Sequence, residues 1–276
     1  MIKVAVPNKG SLSESAAAIL KESGYRQRTD LRDLTLYDAE NEIEFYYLRP
    51  RDIAVYVGSG ELDVGITGRD LLLDSGASAQ EILALDFGKS TFRFAGREET
   101  SLHGKKIATA YPGLVAHYLE TNGVEAEVVR LDGAVESSVR LGVADVIADV
   151  VSTGGTLRQA GLKVFGEPIL HSEAVVIERT GVMRSPAVET LIRRLHGVVI
   201  ARQYVLVDYD IEDVNLAAAT KVTPGLESPT ISPLQKVGWS AVRAMVKRSE
   251  MNKVMDDLYE SGARGILVTD IHASRL

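Results

Sequence analysis

The stretch Asp145-Val146-Ile147-Ala148-Asp149-Val150, continued by Val151-Ser152-Thr153-Gly154-Gly155-Thr156 and Leu157-Arg158-Gln159-Ala160, decides how this chain is read. Its first six residues are apolar enough for a buried strand. They deliver Asp149 to the strand's carboxyl end, where open α/β sheets place their ligands. Two consecutive glycines permit positive φ and close backbone approach, so several N–H groups converge on an anion at the start of the following helix. The hydroxyls of Thr153 and Thr156 stand beside them, and a phosphate fits that description. Asp149, an acceptor, would repel the phosphate itself but suits the neighbouring ribose hydroxyls. Read alone, Thr153–Thr156 is equally a tight turn. The ordered series of strand, carboxylate, glycine pair and helix favours a sugar-phosphate site.

Outward from this loop the pattern is βα alternation. Ile2–Val6, Ile43–Leu48 and Val64–Ile66 are short β-branched runs, and Ser13–Ser23, Ile53–Gly58 and Asp70–Ser75 are amphipathic. That spacing predicts an α/β domain, with Ser13 as the helix cap after Asn8-Lys9-Gly10-Ser11. A second α/β unit runs from Lys105 through the glycine loop, with a helix expected over Val135–Leu141, and a strand at Glu173–Ile177 returns to the first. Such double crossing places a ligand cleft between two lobes, the plan of periplasmic-binding-protein-like folds. Val188–Ala201 reads as a connecting helix. The remainder, from Tyr204 onward, follows the order βαββαβ of a ferredoxin-like unit, a fold silent about function on its own. The expected organisation is 1–90 with 167–195 as the first lobe, 91–166 as the second, and 200–276 as a C-terminal domain.

Composition bounds the partners. With 276 residues, 45% hydrophobic and 25% charged, the chain can bury a substantial core. No apolar run approaches the roughly 18 residues of a membrane span, and Met1 leads directly into a strand, so a cytoplasmic location is expected. The absence of cysteine excludes disulfides, thiolate catalysis and cysteine-ligated zinc. A net charge of -7 points away from nucleic acid, although cations converging on one cleft can still bind polyphosphates. His103, His117, His171, His196 and His272 do not cluster at ligand spacing, and none is assigned to catalysis or metal.

Glu136, Gly142, Ala144, Ile147, Asp149, Val150, Thr153, Gly154, Thr156 and Leu157 resemble the signature of the ATP phosphoribosyltransferases at every spacing. The stretches Pro7–Gly10, Arg49–Ile53 and Gly65–Leu71 are similar to that family too. Tyr204–Asp210 and Thr223–Thr230 resemble the regulatory domain of its long, histidine-regulated form. Nucleotide-salvage transferases carry a related loop preceded by two acidic residues. Here Val150 follows the single Asp149, so the salvage type is the alternative reading. A two-lobed small-molecule binding protein is another.

The resemblance implies transfer of the phosphoribosyl group from phosphoribosyl pyrophosphate to N1 of ATP, with release of pyrophosphate, the first step of histidine biosynthesis. It implies catalytic roles for Lys9, Arg49 and Asp149, with the donor held by Asp149, Ser152, Thr153, Gly154, Gly155 and Thr156. ATP would meet Lys9, Gly10, Arg49, Arg51, Asp70, Leu71 and Tyr111. Arg51 could instead pair with a carboxylate such as Asp52, Asp70 could cap the helix it begins, and Tyr111 could simply pack a turn. Mg2+ is expected on the two polyphosphates, with no dedicated protein cage visible. An inhibitory histidine would meet Asp210, Leu226, Ser228, Thr230 and Gly265, and homodimers would assemble into a homohexamer.

Overall fold

The computed structural model describes residues 1–152 and 154–275. The chain divides into two compact units, Met1–Ile192 and Arg193–Leu276. Among the described residues no helix is long and apolar enough to cross a membrane.

The first unit holds two sheets. It opens with β1 (Ile2–Pro7), α1 (Ser11–Glu22), β2 (Thr35–Asp38), β3 (Ile43–Leu48), α2 (Pro50–Ser59), β4 (Val64–Gly68), α3 (Arg69–Ser75) and β5 (Ala79–Ala84). It continues with β6 (Ser90–Gly96), β7 (Lys106–Thr109), α4 (Pro112–Thr121), β8 (Glu127–Arg130), α5 (Ser137–Arg140), β9 (Val146–Val151), α6 (Gly155–Gln159), β10 (Lys163–Ser172) and β11 (Ala174–Arg179). Six strands form one sheet in the order β2-β3-β1-β4-β11-β5, and five form the other in the order β10-β6-β9-β7-β8. The chain passes from the first sheet to the second between β5 and β6 and returns between β10 and β11. The molecule therefore has two α/β lobes joined by two crossovers, called lobe I and lobe II below; residues 167–172, expected in the first lobe, belong to β10 and pair with β6 in the sheet of lobe II.

Each sheet buries apolar residues against its helices. In lobe I, Ile53, Ala54 and Val57 of α2 pack on Ala5, Val175 and Ile177 of the sheet. In lobe II, Leu114, Val115 and Leu119 of α4 pack on Phe92, Ile107 and Val146. Full burial of each large aliphatic side chain contributes roughly 1.5–3 kcal/mol, so these faces fix which way the helix starts point.

Three local expectations need correction. Helix α1 begins at Ser11 with Gly10 in the cap position and no side-chain hydrogen bond there, so Ser13 is not its cap. Ser13 already lies in the first turn, its N–H reaching the Gly10 carbonyl at 3.1 Å. Asp149 is not the last residue of its strand, because β9 continues to Val151. The helix expected over Val135–Leu141 is one turn, Ser137–Arg140.

The second unit begins within α7 (Pro186–Gln203) and continues with β12 (Tyr204–Glu212), α8 (Leu216–Val222), β13 (Thr230–Pro233), β14 (Trp239–Lys247), α9 (Met251–Glu260) and β15 (Arg264–Asp270). The sheet order β13-β14-β12-β15 is that of the ferredoxin-like βαββαβ unit. Val205, Val207, Tyr209 and Ile211 alternate onto the helix-covered face with Val254 and Leu258. Leu206, Asp208 and Asp210 therefore stand on the opposite face.

Candidate active site

Between the lobes of the first unit lies a cleft of about 350 Å³, lined by Lys9, Gly10, Asp70 and Leu71 from lobe I and by Tyr111, Val150 and Ser152 from lobe II. Lys9 and Gly10 connect the carboxyl end of β1 to α1, so a strand end and a helix start face the same space. That is where free N–H groups and a lysine together favour an anion.

Asp70 lies in the first turn of α3 and is only 7% exposed. It does not cap the helix, whose cap position is Gly68 without a side-chain hydrogen bond. Its Oδ1 instead accepts the Ser172 hydroxyl at 2.8 Å. The same hydroxyl accepts the Asp70 N–H at 3.1 Å. From lobe II the Tyr111 phenol comes near the Asp70 carboxylate, and burial followed by that nearby charge pushes the phenol pKa up. Tyr111 thus brings a neutral phenol across the cleft to the side of Asp70. Phe92 supports its ring edge-on at 5.2 Å.

Asp149 lies deeper on β9, opposite Arg93 of β6. Burial raises its carboxyl pKa most strongly; the Val150 N–H, donating to Oδ1 at 2.7 Å, works the other way, and the charges of Glu136 and Asp70 push it up again. The net shift is upward. Arg93 does not neutralise it, because its guanidinium is turned to the Gly166 carbonyl.

After Ser152 the loop turns through Gly154, whose φ of 67° lies in the left-handed region that favours glycine. Thr153 lies outside the described residues. The short α6 that follows starts at Gly155 and Thr156, whose N–H groups have no partner within the helix. Arg158, four residues beyond Gly154, turns back over it: a Cβ placed at Gly154 would lie 3.3 Å from Arg158 Nη1.

The sequence-selected residues separate into two sets. Lys9, Gly10, Asp70, Leu71, Tyr111 and Ser152 line the cleft, with Asp149 behind it. Arg49 and Arg51 do not line it. Arg49 is exposed at the cap position of α2, next to the lining residue Pro50. Arg51 pairs with Asp74 at 2.7 Å rather than with Asp52. Lys89, which lines the cleft while paired with Asp86, was not selected, nor was Arg158. The signal for Arg158 was available, since residues four apart on a helix face one another. Lys89 sits in a lobe crossover with no such periodicity.

In the C-terminal unit a Cβ at Gly265 would lie 3.5 Å from Asp210 Oδ2, so those two residues are brought together. Asp210 pairs with Ala241, which pairs in turn with Ser232, two residues beyond Thr230. Thr230 therefore shares the sheet face of Asp210. Leu226 and Ser228 lie in the turn that leads into β13.

Two lobes facing each other across a cleft, with a strand-to-helix loop on one, a glycine turn on the other and a carboxylate and a tyrosine between them, form the two-lobed α/β class of ligand-binding and group-transfer proteins. The ATP phosphoribosyltransferase family model matches residues 49–197, and that of the HisG C-terminal domain matches residues 201–273. ATP phosphoribosyltransferases of Arthrobacter sp. (strain FB24) and Salinispora tropica are 60% and 59% identical to this chain, each alignment covering all of both proteins. A solved ATP phosphoribosyl transferase (HisG:HisZ) complex from Thermotoga maritima is 26% identical, with a TM-score of 0.62 over 71% of this chain and 97% of that one. The chain belongs to the ATP phosphoribosyltransferase family, in the long form that carries the C-terminal domain. Its reaction joins the phosphoribosyl group to ATP and opens histidine biosynthesis.

Proposed function

We propose that the two lobes divide the reaction between them. Lobe II holds the donor, with Asp149 accepting the ribose hydroxyls and Ser152, Thr153, Gly154, Gly155 and Thr156 surrounding the 5-phosphate. Lobe I and Tyr111 hold ATP through Lys9, Gly10, Asp70 and Leu71, with Arg49 and Arg51 beside them. The observation that carries this reading is the cleft itself, where Tyr111 of one lobe meets Asp70 of the other in front of Asp149.

The chemistry needs no general base. Adenine N1 has a free lone pair; it forms a bond to the anomeric carbon as the bond to pyrophosphate breaks, and that electron pair leaves with pyrophosphate. What must be supplied is alignment and charge. Positive charge develops at the anomeric carbon, and a half-buried carboxylate already crowded by Glu136 and Asp70 is relieved by it. Negative charge grows on the leaving group, where Lys9, Arg49 and Lys89 are the cations at hand.

Among the described residues no three His, Asp or Glu side chains gather into a metal-holding group. Mg2+ fits as a passenger on the polyphosphates, held by substrate oxygens and water, where it offsets their charge. Histidine is assigned to the open face around Asp210 and Gly265, with Leu226, Ser228 and Thr230. The assembly is assigned as a homodimer building a homohexamer, and the location as cytoplasmic. The test of the activity is pyrophosphate release that requires ATP, phosphoribosyl pyrophosphate and Mg2+ together. Pure protein that releases none sinks the assignment.

A further inference from the structure

Tyr111 is held by more than the site requires, and the surplus comes from one carboxylate. Helix α4 starts at Pro112, which has no N–H, so Gly113 and Leu114 are its first free donors. Both point to Asp74 Oδ1, at 2.9 and 3.2 Å, across the boundary between the lobes. Asp74 Oδ2 accepts Arg51 Nη1 at 2.7 Å, and its side chain is only 8% exposed. The Arg51 guanidinium lies 4.8 Å from the centre of the Tyr111 ring. A Cβ at Gly113 would fall 2.4 Å from the Asp74 backbone oxygen, so α4 approaches α3 as closely as only glycine permits.

Asp70 and Asp74 are four residues apart on α3 and share a face. One stands beside the Tyr111 phenol, and the other takes the turn that carries Tyr111. Arg51 neutralises the second, which would otherwise repel the first.

We propose that Asp74 is a positioning residue: it caps α4 from the opposite lobe and, with Arg51 on its other oxygen, sets Tyr111 against the bound nucleotide. This rests on the reading of Tyr111 as an ATP contact. It also gives Arg51 its role, acting through Asp74 and the Tyr111 ring. The Asp74 carboxylate is the joint between the lobes on the nucleotide side of the cleft.

The test is a double-mutant cycle on KM for each substrate, with thermal melts run in parallel. Asp74→Ala should raise KM for ATP about tenfold and leave KM for phosphoribosyl pyrophosphate within about twofold. Asp74→Asn keeps an acceptor for the two amides but loses Arg51, and should raise KM for ATP about threefold. In a Tyr111→Ala background both effects should vanish, because the residue being positioned is gone. Effects that persist in full in that background, equal rises in both KM values, or an unchanged KM for ATP would overturn the proposal. If Tyr111→Ala itself leaves KM for ATP unchanged, the nucleotide reading of Tyr111 fails and the proposal with it. If Tyr111→Ala weakens ATP while Asp74→Ala is silent, the proposal alone fails. Should Asp74→Ala not fold, Asp74→Asn and Arg51→Met complete the same cycle and decide it.

Discussion

Asp149 faces Arg93 across the β6–β9 ladder, yet it gains no cation from that pairing, because Arg93 is committed to Gly166. Its carboxylate is half-buried, receives one backbone N–H, and is pushed up in pKa by desolvation and by the charges of Glu136 and Asp70. A carboxyl whose folded pKa exceeds its unfolded value destabilises the fold once it ionises. The cost is absent below the ordinary value of 3.8, grows as pH rises from there, and is complete above the raised folded value. Asp149→Asn removes the charge and keeps the shape. At pH 7 it should melt at a higher temperature than the parent, with the gap closing toward pH 4, while turnover falls by at least about 100-fold. Melting curves at the two pH values and steady-state rates check both halves. A variant that is less stable at pH 7, or one that retains its rate, would show that the carboxylate is structural.

At the scale of elements, what could be read from the chain was set by periodicity. Strand β9, helix α4 and the alternating strand β12 follow single runs of residues, and their order was legible. The ten residues of β10 were missed because Gly166 and Pro168 interrupt them, and their pairing with β6 slips between Phe165 and Leu170. Strand β2 was missed because its four residues form a sheet edge with only Asp38 buried. In the site, Lys9 and the glycine loop were visible because each adjoins a strand end. Asp74 was not, because its partners lie 23, 39 and 40 residues away and no local pattern links them. Glu178 of β11 is held from both near and far, by Arg184 six residues on, before α7, and by Gln80 of β5, 98 residues back. Burial alone would raise its carboxyl pKa, but bonds from Arg184 and Gln80 outweigh it and leave the net shift downward. Its stabilising contribution is present above the ordinary value of 4.5 and is lost as pH falls through the depressed one. Arg184→Met leaves a carboxylate that is 3% exposed with Gln80 alone. The expected loss is about 3 kcal/mol at pH 7, the low end for a broken buried pair, because Arg184 itself is 39% exposed and screened. Chemical denaturation at pH 7 and near pH 4 measures it, and an equal loss at both would assign the effect to packing.

For the whole molecule the question is what the second unit adds, since a ferredoxin-like sheet carries no function by its fold. Helices α8 and α9 cover one face, and the other presents Asp210, Thr230 and Ser232 in one neighbourhood, with Gly265 close to the Asp210 carboxylate. Asp208 beside them is already held by Arg243 at 2.7 Å, whereas Asp210 lies at a break in the β12–β15 register. A carboxylate without an ion-pair partner among the described residues, at a register break and next to a residue without a side chain, suits the ammonium group of an amino acid. Inhibition from there requires that histidine bind two states of the protein unequally, and the coupling must be reciprocal. Asp210→Ala should raise the histidine concentration for half-inhibition by at least about tenfold, the loss expected for one charge-assisted contact. Gly265→Val should do the same by filling the space beside that carboxylate. Reciprocity adds a second measurement: histidine that weakens ATP binding must itself bind more weakly when ATP is saturating, by the same factor. If both variants remain as sensitive as the parent, histidine acts elsewhere and the open face of this sheet has another use.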